Sequence, residues 1–130
     1  MVEAAMKAKL DCESSSKLIG VTLLTSLSDA DCRKIYGCSR ECELLRLKDI
    51  ARAANIDGFV CSPYDINALK DSTKIYVTPG IRFGDDKQDH HKVAIPKEAL
   101  DLGSHYLVIG RSITGSVNPN GTLEQIINSL

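Results

Sequence analysis

A chain of 130 residues and 14.1 kDa holds one domain, or part of one. Its 43% hydrophobic and 25% charged residues are ordinary proportions for a chain that builds a buried core. Sixteen basic against seventeen acidic residues leave a formal charge of -1, which excludes a nucleic-acid or anionic-membrane binder driven by bulk charge.

Residues 1–9 read as an amphipathic helix rather than a basic-then-apolar leader. Nowhere does an apolar run approach the roughly 20 residues that span a bilayer. Residues 17–24 form an apolar, β-rich run, and Ser28-Asp29-Ala30-Asp31 has the composition of a helix cap and first turn. Over residues 41–54, Leu44, Leu45, Leu47, Ile50, Ala51 and Ala54 fall on one helical stripe, with Lys48, Asp49 and Arg52 outside it. Asp57-Gly58 reads as a turn, residues 59–61 as a short buried strand broken by Ser62-Pro63, and residues 64–69 as a short helix. The second half repeats the alternation. A strand over 74–78 stops at Pro79-Gly80, and a polar stretch covers 83–92. Pro96 marks a helix start, 97–102 is that helix, and Gly103 ends it. A strand over 105–109 ends at Gly110, and 123–130 is the last helix.

Five cysteines stand at 12, 32, 38, 42 and 61. An odd number with no leader pattern fits free thiols in a reducing compartment, and the expected location is the cytoplasm. Cys38 and Cys42 are one residue too far apart for a redox CxxC pair, and no second ligand pair follows at finger spacing. Ordinary thiols are the expectation, and no metal site is assigned.

Four strand-helix units follow an opening helix. Their strands are nearly all apolar, which implies that both faces are covered, the mark of a parallel α/β sheet. A closed barrel needs eight strands and about 250 residues, so four units make either a small doubly wound sheet or half a barrel with two open edges. In such architectures function gathers at the C-terminal ends of strands. Here those ends read Thr25-Ser26, Cys61-Ser62-Pro63, Thr78-Pro79-Gly80-Ile81-Arg82 and Gly110-Arg111-Ser112-Ile113-Thr114. The last two set an Arg near a Gly. Glycine lets backbone N–H groups approach an anion, and Arg adds a bidentate, charge-assisted grip. The plainer alternative is that Arg82 and Arg111 are solvated loop residues.

The four segments together are specific. Residues 18–27 (Leu-Ile-Gly-Val-Thr-Leu-Leu-Thr-Ser-Leu) resemble the fifth strand of the orotidine 5'-phosphate decarboxylase family. Residues 57–63 resemble its sixth, 77–82 its seventh, and 106–114 with Asn118-Pro119 its eighth. The resemblance implies the C-terminal half of a (β/α)8 TIM barrel, with residues 1–130 as one unit carrying four parallel strands. It also implies a homodimeric, cofactor-free enzyme that converts orotidine monophosphate to uridine monophosphate and carbon dioxide. The implied partners are those nucleotides, together with a second copy or a complementary half barrel.

By the same resemblance, Thr25 is a substrate contact and Ser26 hydrogen-bonds the pyrimidine. Arg82 is the ligand-binding Arg of Thr-Pro-Gly-Ile-Arg, and Gly110 and Arg111 hold the phosphate. The family's mobile loop carries a Gln six residues before a Pro. The same count back from Pro96 reaches His90, with Gln88 two positions away. His90 is then the expected phosphate donor, unless a shifted register brings in Gln88 or His90-His91 is a solvated pair. A metal held by Asp85, Asp86, Asp89 and these histidines is a less favoured reading.

The resemblance also assigns the chemistry to an Asp-x-Lys-x-x-Asp motif and a further Lys on earlier strands. That motif is absent: Asp85-Asp86-Lys87-Gln88-Asp89 is one residue too short and lies in a polar loop, and Lys7, Lys9 and Asp11 have the wrong spacing. No catalytic residue is therefore assigned in this chain. Two alternatives stand beside this reading. One is a non-catalytic phosphate-binding half barrel that pairs with another chain, and the other is a related sugar-phosphate decarboxylase.

Overall fold

The computed structural model describes residues 1–84 and 94–130. Four parallel strands form one sheet in the order β1-β2-β3-β4: β1 (Ile19–Val21), β2 (Gly58–Val60), β3 (Ile75–Pro79) and β4 (Tyr106–Val108). Every neighbour in space is the next strand in sequence, so each connection crosses over in the same sense and the sheet curls instead of reversing. Helix α1 (Val2–Asp11) precedes β1, and α2 (Asp29–Tyr36) and α3 (Arg40–Ala53) lie between β1 and β2. A 3-10 turn (Pro63–Asp65) running into α4 (Ile66–Leu69) joins β2 to β3. Helix α5 (Pro96–Asp101) precedes β4, and α6 (Arg111–Thr114) and α7 (Pro119–Asn128) follow it. Four parallel α/β units match the half-barrel expectation.

Register explains the core. Val21, Val60, Val77 and Tyr106 lie side by side across the sheet on one face. Phe59 and Tyr76 point to the other face, stacked with ring centres 6.2 Å apart, and pack with Leu44, Ile56, Ile66 and Leu69 under the helices. A smaller cluster of Ile81, Ala94 and Ala99 sits beneath Leu107 and Ile109. The expectation that both faces are covered holds on the helix side alone. Val21 is 65% exposed and Tyr106 61%, with Val60 and Val77 half-buried between them, so among the described residues the opposite face is open at both edges. Apolar strand composition records a barrel interior there, which four strands cannot close.

Local details depart from the sequence reading where tertiary contacts override pattern. Pairing limits β1 to three residues rather than 17–24, because β2 offers three partners. Gly58 opens β2 instead of making a turn; the chain reverses earlier, at Ala54 and Asn55, where Asn55 adopts a left-handed φ of 52°. Ser28 caps α2 in a reciprocal capping box with Asp31, as the composition implied, and Gly37 in the left-handed region ends it. Helix α6 escaped the sequence reading. Helix α7 starts at Pro119, four residues before the expected 123, with the Asn118 side chain accepting from Gly121 N–H at 3.0 Å.

Asp57 fastens α1 to the sheet. Its Oδ2 accepts from Lys9 Nζ at 2.6 Å and from Leu18 N–H at 2.7 Å, and Lys17 Nζ lies 3.7 Å from Oδ1. The Lys9 bond first, and the Leu18 amide second, hold the Asp57 carboxyl below its ordinary value of 3.8. A carboxyl depressed in the folded state contributes stability above its unfolded value and loses it as pH falls through the folded one. Asp57→Asn is expected to cost about 2 kcal/mol at neutral pH. In urea titrations that gap should begin to narrow below about pH 4, where the unfolded carboxylate starts to protonate, and close once pH falls through the lower native value. A gap that stays constant down to acid pH would contradict this role.

Candidate functional site at the strand tips

The four expected tips lie at the C-terminal ends of the parallel strands, at one end of the sheet. Between β1 and β2 a hollow of about 190 Å3 is lined by Leu23, Thr25, Val60, Cys61 and Pro79 among others. Thr25 and Ser26 are both exposed beside it. Gly80 takes a left-handed φ of 77°, which lets the chain turn sharply after Pro79. A methyl group built on Gly80 would stand 3.9 Å from Thr25 Oγ1, so the first and third tips close on one another.

The third and fourth tips are tied directly. Phe83 N–H donates to Ser112 Oγ at 3.2 Å, joining the residue after Arg82 to the residue after Arg111. Arg82 N–H donates to Ala94 O at 3.1 Å. Arg82 is half-buried, whereas Gly110 and Arg111 are exposed. Beneath them Thr78 is wholly buried, and its hydroxyl donates to Ser104 Oγ at 3.0 Å, pinning β3 to the turn before β4. The structure thus gathers Thr25, Ser26, Arg82, Gly110 and Arg111 at one end of the sheet. His90, Gln88 and the Asp85-Asp86-Asp89 cluster lie outside the described residues. Among the described residues, no group of three metal-ligating side chains converges.

The cysteines divide by burial. Burial pushes the Cys61 thiol up to about 12, so it stays protonated and lines the hollow as a small apolar group rather than a nucleophile. All five thiols are free.

Sequence pattern missed a second feature of this end. Arg40, at the first position of α3, forms a bidentate pair with the buried carboxylate of Asp65, with Nη2 to Oδ2 at 2.7 Å. Its Nε also donates to Leu27 O at 3.3 Å. The partners are 25 residues apart, too far for helical or strand periodicity to link them.

The family model described as orotidine 5'-phosphate decarboxylase / HUMPS matches residues 1–126. The chain belongs to this family. It is 40% identical over 131 residues to the orotidine 5'-phosphate decarboxylase of Laribacter hongkongensis, covering 97% of this chain and 54% of that one. The Shewanella sediminis enzyme of the same name is 43% identical over 138 residues, covering 100% and 58%. The crystal structure of orotidine 5'-phosphate decarboxylase from Lactobacillus acidophilus superposes with a TM-score of 0.75 at 32% identity, over 98% of this chain and 57% of that chain. The chain therefore spans a little over half the length of these orotidine 5'-phosphate decarboxylase relatives, and its four strands form half of the family's α/β barrel. No helix among the described residues is long and apolar enough to cross a membrane.

Proposed function

We propose that this chain supplies the phosphate- and base-binding half of an orotidine 5'-phosphate decarboxylase, which converts orotidine monophosphate to uridine monophosphate and carbon dioxide. The observation that carries the reading is the tie between the last two tips. The Phe83–Ser112 bond holds the Gly80–Arg82 turn against Gly110 and Arg111, so two guanidinium-bearing segments and a flexible Gly backbone share one corner. That combination suits a doubly charged phosphate ester. Thr25 and Ser26, beside the hollow, take the base-contact roles that the family resemblance gives them. His90 stands in sequence where the family has Gln, and in this reading it is a further phosphate donor.

In this reading the chain supplies binding, and proton transfer belongs to residues it does not contain. Holding a remote phosphate lets non-reacting binding energy act at the reacting carbon, provided the site closes around the substrate. The edge positions of β1 and β4, with Val21 and Tyr106 exposed on them, support pairing with a complementary half barrel or a second copy. Free thiols fit a cytoplasmic setting. The names of the curated relatives favour the orotidine substrate over a sugar phosphate.

Arg111→Ala tests the grip. In calorimetric titrations with uridine monophosphate the variant is expected to bind at least tenfold more weakly, the loss of roughly one charge-assisted pair. Because Arg111 is exposed, the fold should be unaffected. Unchanged affinity would mean that the phosphate sits elsewhere.

A further inference from the structure

Thr25-Ser26 and Cys61-Ser62 flank the hollow from different strands, and strand pairing alone does not hold them. The last backbone bond between β1 and β2 at this end is Thr22 N–H to Val60 O, 3.1 Å. Beyond it the hollow of about 190 Å3 opens between the tips. Arg40 reaches across. Its Nε donates to Leu27 O, one residue after Ser26, and both terminal nitrogens grip Asp65, whose own N–H donates to Ser62 O at 3.0 Å. The Arg40 backbone is anchored as well. Arg40 N–H donates to Asp29 Oδ1 at 2.8 Å, and Asp29 Oδ2 accepts from Arg33 Nε at 2.8 Å. Side-chain exposure is 23% for Arg40 and 7% for Asp65, so solvent competes weakly for either group.

We propose that Arg40, locked to Asp65, is a positioning residue: it sets the distance between the Thr25-Ser26 tip and the Ser62 tip, and so shapes the hollow to accept a pyrimidine base. The inference rests on the binding reading above and deepens it, since the base end of the site is fixed by a side chain that touches no ligand. Geometry explains the choice of residue. Three donors must leave one planar group in two directions, toward a carbonyl on one loop and a carboxylate on the other. Arg supplies that fork, and Lys offers a single point charge. A surface ion pair of purely structural use would need no third bond to the neighbouring loop.

Two measurements on the intact chain test this. Hydrogen exchange reads the bridge without ligand. In Arg40→Gln, and in Asp65→Asn as a second variant, amides in 23–27 and 61–65 are expected to exchange faster while β3 and β4 keep their protection. Titration reads the consequence. Affinity for uridine monophosphate is expected to fall roughly tenfold in both variants, Arg40→Lys should lie between them and the parent, and ribose 5-phosphate, which has no base, should bind unchanged. Unaltered exchange at both tips overturns the bridge. Equal losses for both ligands, or no loss for either, overturn the positioning role. A parent chain that binds neither ligand overturns the binding reading instead, and the exchange experiment still decides whether Arg40 joins the tips.

Discussion

Alone, the 130-residue chain is expected to decarboxylate orotidine monophosphate no faster than buffer does. The groups to which the resemblance assigns proton transfer and charge stabilisation, an Asp-x-Lys-x-x-Asp motif with a further Lys, are absent from residues 1–130. The chain covers 54% and 58% of two curated relatives, which leaves a segment of nearly equal length to carry them. Mixing the chain with an N-terminal half barrel that bears the motif is expected to restore turnover. The gain should be on the order of 10^6-fold or more, the ordinary span between an enzyme and solution. Among the described residues, β1 and β4 each have a strand neighbour on one side only, and pairing at those edges is the expected route to the restored site. Turnover by the lone chain, followed by loss of orotidine monophosphate absorbance, would refute the division of labour.

The second large effect concerns Gly58, the first residue of β2. It pairs with Ile19 on one side and Ile75 on the other, so it sits in the interior of the sheet. A Cβ placed there would stand 2.2 Å from Ile75 O and 2.8 Å from Ile75 Cβ. Both obstacles belong to the neighbouring strand rather than to the free end of a side chain. To admit a methyl group, β2 and β3 must separate where they are hydrogen-bonded. Gly58→Ala is therefore expected to cost about 3 kcal/mol or more, a large share of a typical domain's stability. The thermal midpoint should drop by about 10 °C or more. A midpoint within a degree or two of the parent would show that the strands can shift freely, and would contradict the packing described.

Much of this fold could be read from residues alone, because parallel strands advertise themselves as apolar runs closed by Gly, Pro and Ser. The tips at Thr25, Cys61, Thr78 and Gly110 were legible for that reason. What was not legible depended on partners distant in sequence. Asp57-Gly58 looks like a turn in isolation, yet Asp57 is recruited by Lys9 and Leu18, and Gly58 is required by the carbonyl of Ile75. The apolar strands suggested two covered faces, whereas the row from Val21 to Tyr106 faces a half of the barrel that this chain does not supply. Arg40 gave no sign at all. It stands just outside the apolar stripe of α3, and its meaning emerges when α3 packs so that its first residue overhangs Asp65. Long-range polar bonds of this sort have no period, so pattern reading passes over them.

In the proposed binding role, the Arg82 and Gly110-Arg111 tips form one cradle for a phosphate ester. Comparing uridine monophosphate with uridine in calorimetric titrations of the chain tests it most directly. Measurable binding of the nucleotide is expected, weakened as salt rises, with at least tenfold weaker binding of the nucleoside, which has lost the charged group. Equal affinity for the two would show that the phosphate contributes nothing and that the arginines serve some other purpose.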